Sequence, residues 1–135
     1  MNPNDAKVWI NHAETDLRAA HTLLDSKDFF PRQICFLAQQ CGEKAIKAVL
    51  IYTEVKFPNH HDLDRLRDLG PKGWKVKEQF PDLAELTIWA VESRYPGDTP
   101  DVTEYEAHET LELAKAVFAS VSTELEERIK QDNQQ

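Results

Sequence analysis

Apolar residues recur at steps of three and four along most of the chain, the spacing of a helix that buries one face. The first stripe, from residue 5 to about 26, contains no Gly or Pro and consists of Trp9, Ala13, Leu17, Ala20 and Leu24. A second, wider stripe follows Pro31 and predicts a central helix; it consists of Ile34, Ala38, Cys41, Ala45, Ala48, Val49 and Tyr52. Gly42 lies inside this second stripe, which indicates a close approach by another helix.

Pro and Gly divide the second half of the chain into further helices. Pro58 ends the central helix, and a short helix is predicted over 62–69. Another helix is predicted to open at 81 and stop near 95, and the last to run from about 100 or 101 to 129. No segment alternates with period two. The pattern predicts an all-α fold, most simply an antiparallel up-and-down four-helix bundle with an additional short helix.

Composition narrows the class of protein. The 135 residues fit one domain over 1–135 with a polar tail from about 130, and 41% hydrophobic and 30% charged residues are typical of a soluble globular protein. No apolar run approaches a membrane span and the polar start has no signal-peptide core, so no membrane association is expected. Cys35 and Cys41 are too few for a disulfide framework, which favours a reducing cytoplasm as the compartment. Their spacing is not that of a metal site. Neither a metal nor a cofactor is therefore expected.

The formal net charge of −8 is distributed unevenly. Residues 27–79 carry ten basic and seven acidic side chains, whereas residues 101–135 carry three basic and nine acidic ones. Such asymmetry is also typical of solvated helix faces of differing sign. The acidic total argues against general nucleic-acid binding, but the basic middle segment leaves room for a local phosphate site.

Several polar side chains accompany the two long stripes. Asp16 flanks the first stripe, where a structural ion pair with a Lys or Arg of the facing helix explains it. The central helix has a polar side formed by Gln39, Gln40, Glu43, Lys44 and Lys47. Glu43 and Lys47 are spaced as an i,i+4 pair, and this side of the helix could equally line a groove or a dimer interface. Farther on, Asp62 is placed to cap the short helix, with His61 in the loop before it.

Arg94 comes directly before the sharp turn of Tyr95 and residues 96–97. One interpretation is a helix stop with a packed tyrosine, since an arginine is favourable at a helix C-terminus. The other is an arginine held at a rigid turn to bind a phosphate.

Taken in order, several segments resemble the HEPN domain family (higher eukaryotes and prokaryotes nucleotide-binding). They are Asp16-Leu17 with Ala20 and Leu23-Leu24, Cys35 to Gln40, Glu43 to Ala48, His61-Asp62-Leu63, Ser93 to Pro96, and the final helix around Ala107 to Ala116. The resemblance extends from about residue 5 to 126. It implies a helical bundle, commonly a homodimer. The chain also resembles the C-terminal helical domain of kanamycin nucleotidyltransferase. It also implies a minimal nucleotidyltransferase as partner, in a toxin–antitoxin pair.

Many members of the family are metal-independent ribonucleases with an Arg-x4-6-His motif, and this chain departs from that motif. No histidine follows Arg94 in the expected window, and the next one is His108. If His108 substituted for it, Arg94 would hold the phosphate and a neutral His108 would be the base on a ribose 2′-hydroxyl. The alternative is that His108 is a surface histidine.

The resemblance and the basic middle segment predict a nucleotide- or RNA-phosphate-binding subunit. Its expected phosphate-binding residues are Lys44, Lys47, His61, Arg94 and Tyr95. Two alternatives stay open: an active toxin endoribonuclease using Arg94 and His108, and a non-catalytic helical interaction module.

Overall fold

The computed structural model of the chain describes residues 3–26, 30–89 and 102–134, and all regular secondary structure in these ranges is helical. The helices are α1 (Pro3–Leu24), α2 (Pro31–Tyr52), α3 (Leu63–Leu69), α4 (Lys75–Gln79), α5 (Ala84–Thr87) and α6 (Glu104–Asn133). Among the described residues, no helix combines the length and the apolar character that crossing a bilayer demands. The predicted all-α bundle is confirmed.

The long helix α2 is central, packed between α1 and α6. Asp16 of α1 lies against Lys44, whereas the earlier Trp9 lies beside the later Lys47, so α1 and α2 run antiparallel. At the far end of α2, Tyr52 contacts Asp132 near the end of α6, so α2 and α6 run in the same direction. The predicted central helix is confirmed by its burial, which includes both cysteines.

Gly42 marks the place where two short helices cross α2. A Cβ atom added there would lie 3.0 Å from Leu63 Cδ2 of α3 and 3.1 Å from Leu86 Cδ1 of α5. The close approach that Gly42 predicted is therefore confirmed, and it brings the start of α3 directly against the middle of α2.

The start of α3 is fixed by its cap. The side chain of Asp62 accepts hydrogen bonds from the backbone N–H groups of Asp64 at 3.1 Å and Arg65 at 3.3 Å. The backbone N–H of Leu63 donates to Thr87 Oγ1 at 3.0 Å, which ties α3 to α5. Asp62 thus has the capping role predicted for it, and the preceding loop is held in a defined position.

Three segments differ from the sequence expectation. The short helix α4 was not predicted; it follows the buried Trp74, and the backbone N–H of Lys75 donates to Glu124 of α6 at 2.7 Å. The helix predicted over 81–95 is described only to residue 89, and within that part the helix is limited to α5. At the other end, α6 continues past residue 129 to Asn133. The contact between Tyr52 and Asp132 accounts for that extension, because it binds the last turn to α2.

Candidate functional site

Lys44 joins α2 to α1 by an ion pair. Its Nζ atom donates to Asp16 Oδ2 at 2.7 Å, and the two side chains are 25% and 17% exposed. The ion pair predicted for Asp16 with the facing helix is confirmed. The ammonium of Lys44 is thus already bound to a carboxylate of the same chain, although part of its side chain is accessible.

A polar cluster centred on Glu43, the residue before Lys44, lies largely buried beside this ion pair. We call it the Glu43 cluster, and it consists of Gln39, Glu43 and Lys47 of α2 with His61. Glu43 Oε1 accepts a hydrogen bond from Gln39 Nε2 at 3.0 Å, and Glu43 Oε2 accepts one from Lys47 Nζ at 3.1 Å. The Glu43 and Lys47 side chains are only 6% and 7% exposed. The i,i+4 pair predicted from the sequence is present, but it is part of the protein interior.

Two aromatic rings surround the ammonium of Lys47. Its Nζ atom lies 5.8 Å from the ring centroid of Trp9 and 5.5 Å from that of Phe57. Cations are attracted to aromatic faces at such distances, most strongly where water is excluded. The ammonium of Lys47 is therefore stabilised by one carboxylate and two aromatic rings, and its positive charge compensates the negative charge of Glu43.

His61 joins this cluster from the loop that precedes α3. Its Nδ1 atom lies 2.7 Å from Glu43 Oε1, and its side chain is 38% exposed. An ionised carboxylate only accepts hydrogen bonds, so the hydrogen of this contact is on Nδ1. His61 is thus the accessible member of a cluster whose carboxylate is buried.

The electrostatics of Glu43 follow from its partners. Burial raises the pKa of its carboxyl group, but the hydrogen bonds from His61 and Gln39 and the charge of Lys47 outweigh burial. The pKa of Glu43 therefore lies below its ordinary value, and the group is ionised at neutral pH. The result is a fixed negative charge behind an imidazole ring, an arrangement that orients the ring.

The remaining predicted site residues are His108, Arg94 and Tyr95. His108 is on the exposed side of the first turns of α6, with a half-exposed side chain whose Nε2 atom is 3.8 Å from Glu104 Oε1. The surface interpretation of His108 therefore fits its position. Arg94 and Tyr95 lie outside the described residues. The pairing of Arg94 with His108 accordingly stays a prediction, as do the phosphate-binding roles of Arg94 and Tyr95.

The burial of Gln39 and Glu43 was not anticipated, because both were assigned to the polar side of α2. A signal for it exists in the sequence: Gln39 and Glu43 continue in steps of four, three and four to the apolar Ile46 and Leu50. These four positions form a second buried line beside the main stripe.

In the part of the chain that the structure describes, no three His, Cys, Asp or Glu side chains are grouped to hold a metal ion.

Comparison with known proteins finds similarity over most of the chain. A family model of the HEPN domain matches residues 6–127. A protein of Methanocaldococcus jannaschii named "Putative toxin MJ1304" is 30% identical over 143 aligned residues, which cover 95% of this chain and 93% of that protein. The crystal structure of TT1696 from Thermus thermophilus has a TM-score of 0.71 at 27% identity, covering 89% of this chain and 98% of that one. The archaeal HEPN homologue ST0689 shares the fold with a TM-score of 0.67 at 24% identity, over 89% and 97% of the two chains.

Proposed function

This chain belongs to the HEPN family, and from that premise we propose that it is the nucleotide- or RNA-phosphate-binding subunit of a toxin–antitoxin-like pair. A minimal nucleotidyltransferase is its proposed partner. The similarity to a protein named as a toxin supports the toxin–antitoxin setting. The proposed location is the cytoplasm, and the proposed assembly is a homodimer, which a mass measurement in solution would test.

The observation that carries the binding function is the arrangement of His61. It combines partial exposure with a 2.7 Å contact to a buried carboxylate. In its protonated form an imidazole has a second N–H group, which can donate to a phosphate oxygen. Arg94 and Tyr95 are proposed to complete the phosphate site. Lys44 and Lys47 contribute positive charge on the same helix as Glu43, although each already binds a carboxylate.

Binding of a short single-stranded oligoribonucleotide and of AMP, measured by calorimetry at fixed salt, tests this proposal. Arg94→Ala should weaken binding about 10- to 100-fold, the range for one charge-assisted hydrogen bond of about 1.5–3 kcal/mol. Arg18→Ala is the matched control, because Arg18 is an exposed arginine of α1 that pairs with Glu14 of the same helix at 3.1 Å. Binding that is equal in both variants, or absent from the unmodified protein, would remove Arg94 from the site.

A second candidate is an active toxin endoribonuclease, which the similarity to the Methanocaldococcus jannaschii protein favours. In that case Arg94 holds the scissile phosphate and His108, which is accessible on α6, takes the proton of the 2′-hydroxyl. Expression should then arrest growth, and RNA cleavage should be lost in Arg94→Ala and in His108→Ala. Cleavage that persists in both variants would exclude this pair as the catalytic residues.

A further inference from the structure

A pocket of about 290 Å³ lies between the first half of α1 and the middle of α2. Its lining side chains are Val8, Trp9 and His12 of α1 and Lys44 of α2. The three α1 positions share one face, because side chains three or four residues apart on a helix are neighbours. Pockets for small molecules have volumes of about 300–1,000 Å³. This pocket is at the lower end of that range, so it suits a single planar ring system rather than a whole nucleotide.

Trp9 gives this pocket an aromatic wall. Its ring is partly buried against the core, and the Nζ atom of Lys47 lies 5.8 Å from its centroid. Because the side chain of Lys47 is itself buried, it approaches the ring from the interior, and the accessible part of the ring lines the pocket. Accessible aromatic side chains bind nucleobases by stacking, since every base has a flat π face.

Val8 and Lys44 fit the remaining surface of such a base. Val8 is 52% exposed beside Trp9, so a ring stacked there removes apolar surface of both side chains from water. The ammonium of Lys44 has three hydrogens, and its bond to Asp16 at 2.7 Å occupies one of them. Because Asp16 balances its charge, Lys44 offers a ligand hydrogen-bond donors with little net charge. An uncharged base, whose edge carries nitrogen or oxygen acceptors, suits this pocket better than a phosphate does.

We propose that this pocket binds the nucleobase of the nucleotide or RNA ligand, with the base stacked on Trp9 and an acceptor atom of the base facing Lys44. This inference rests on the proposed binding function and adds to it a subsite for the base. The occupant is a single uncharged heteroaromatic ring system. A free phosphate has neither a face to stack on Trp9 nor an apolar surface to bury against Val8.

Probes that divide a nucleotide into its parts test this inference on the unmodified protein. Adenosine carries the base without the phosphate, and ribose 5-phosphate carries the phosphate without the base. In nitrogen-15 spectra, adenosine should shift the indole N–H signal of Trp9, assigned with Trp9→Phe, whereas the signals of the buried Trp74 and Trp89 should stay in place. In calorimetry, AMP should bind about 5- to 150-fold more tightly than ribose 5-phosphate, the range for the stacking of one base.

Val8→Glu blocks the pocket and spares the fold, because position 8 is exposed. It should weaken the binding of adenosine and of AMP at least about fivefold. Asn11→Glu is the matched control, since it adds the same charge at an exposed position of α1 that does not line the pocket. Asn11→Glu should bind adenosine as the unmodified protein does, and the two variants should bind ribose 5-phosphate equally. Circular dichroism establishes that both variants are folded.

The outcomes distinguish this inference from the proposed function. A Trp9 signal that is unchanged at saturating AMP, or equal adenosine binding by Val8→Glu and Asn11→Glu, would overturn the inference even if Arg94→Ala weakens AMP binding and so upholds the proposed function. Adenosine bound at Trp9, with no binding of ribose 5-phosphate and no effect of Arg94→Ala, would uphold the base pocket and contradict the phosphate site. If the unmodified protein binds none of the probes, both fail.

Discussion

Replacing Lys47 by methionine removes one positive charge from the interior and keeps a side chain of similar length. Glu43 is then a buried carboxylate whose remaining hydrogen bonds come from Gln39 at 3.0 Å and His61 at 2.7 Å. The methionine keeps an apolar side chain beside the rings of Trp9 and Phe57, which the Nζ atom of Lys47 approaches to 5.8 and 5.5 Å. The substitution therefore isolates the charge from the packing.

The size of the effect follows from what Glu43 loses and what it keeps. Removing one partner of a buried ion pair costs about 3–5 kcal/mol, because the other charge is left uncompensated. The two remaining donors reduce this penalty, so we expect the free energy of unfolding of Lys47→Met to fall by about 3 kcal/mol at neutral pH. Adding Glu43→Gln should recover most of the loss, since the double variant leaves no unpaired buried charge.

Urea unfolding followed by far-ultraviolet circular dichroism measures this difference. The chain supplies a matched control, because Lys130 and Glu126 form a pair of the same i,i+4 spacing on α6 with both side chains more than two-thirds exposed. Lys130→Met should change the unfolding free energy by less than about 0.5 kcal/mol. A Lys47→Met effect as small as that of the control would refute the reasoning, as would a double variant less stable than Lys47→Met.

Further predictions concern acid stability, close packing, backbone strain and thiol reactivity. Since the folded-state pKa of Glu43 is lowered, its stabilising contribution is present above the ordinary pKa of a glutamate and is lost as pH falls through the lowered value; Glu43→Gln should remove this part of the acid dependence of urea midpoints. Gly42→Val should lower the unfolding free energy by about 2 kcal/mol, since α3 and α5 side chains already lie 3.0–3.1 Å from a Cβ position there. Gly73→Ala should cost about 1 kcal/mol or more at a φ of +97°. Burial raises the pKa of Cys41 to about 12, so mass spectrometry should find it unalkylated by iodoacetamide until the protein is unfolded.

The long helices could be predicted because their apolar stripes are uninterrupted. α1 was predicted to within two residues at each end, and α2 begins at Pro31 as predicted but ends at Tyr52, before Pro58. The capping role of Asp62 and the close approach at Gly42 followed from one residue each. These features depend on local spacing and side-chain chemistry, both of which can be read directly from the sequence.

The parts that could not be predicted depend on partners distant in the chain. The short helix α4 is stabilised by the hydrogen bond from Lys75 to Glu124 of α6 and by the burial of Trp74. The inward position of Glu43 is stabilised in part by His61, which contacts it from the loop between α2 and α3. A charged residue is ordinarily assigned to the surface, so the spacing of Glu43 with Ile46 and Leu50 did not by itself place it in the interior.

The burial of Glu43 and Lys47 is weak evidence for a stabilising role, because apolar side chains of similar volume often serve stability as well or better. We therefore expect their role to lie in the proposed phosphate site, where Glu43 holds His61 in place through a contact of 2.7 Å. The variant carrying both Glu43→Gln and Lys47→Met separates the two roles. Retained stability with lost phosphate binding is what a positioning role requires, whereas retained stability with unchanged binding would leave the Glu43 cluster without a part in the site.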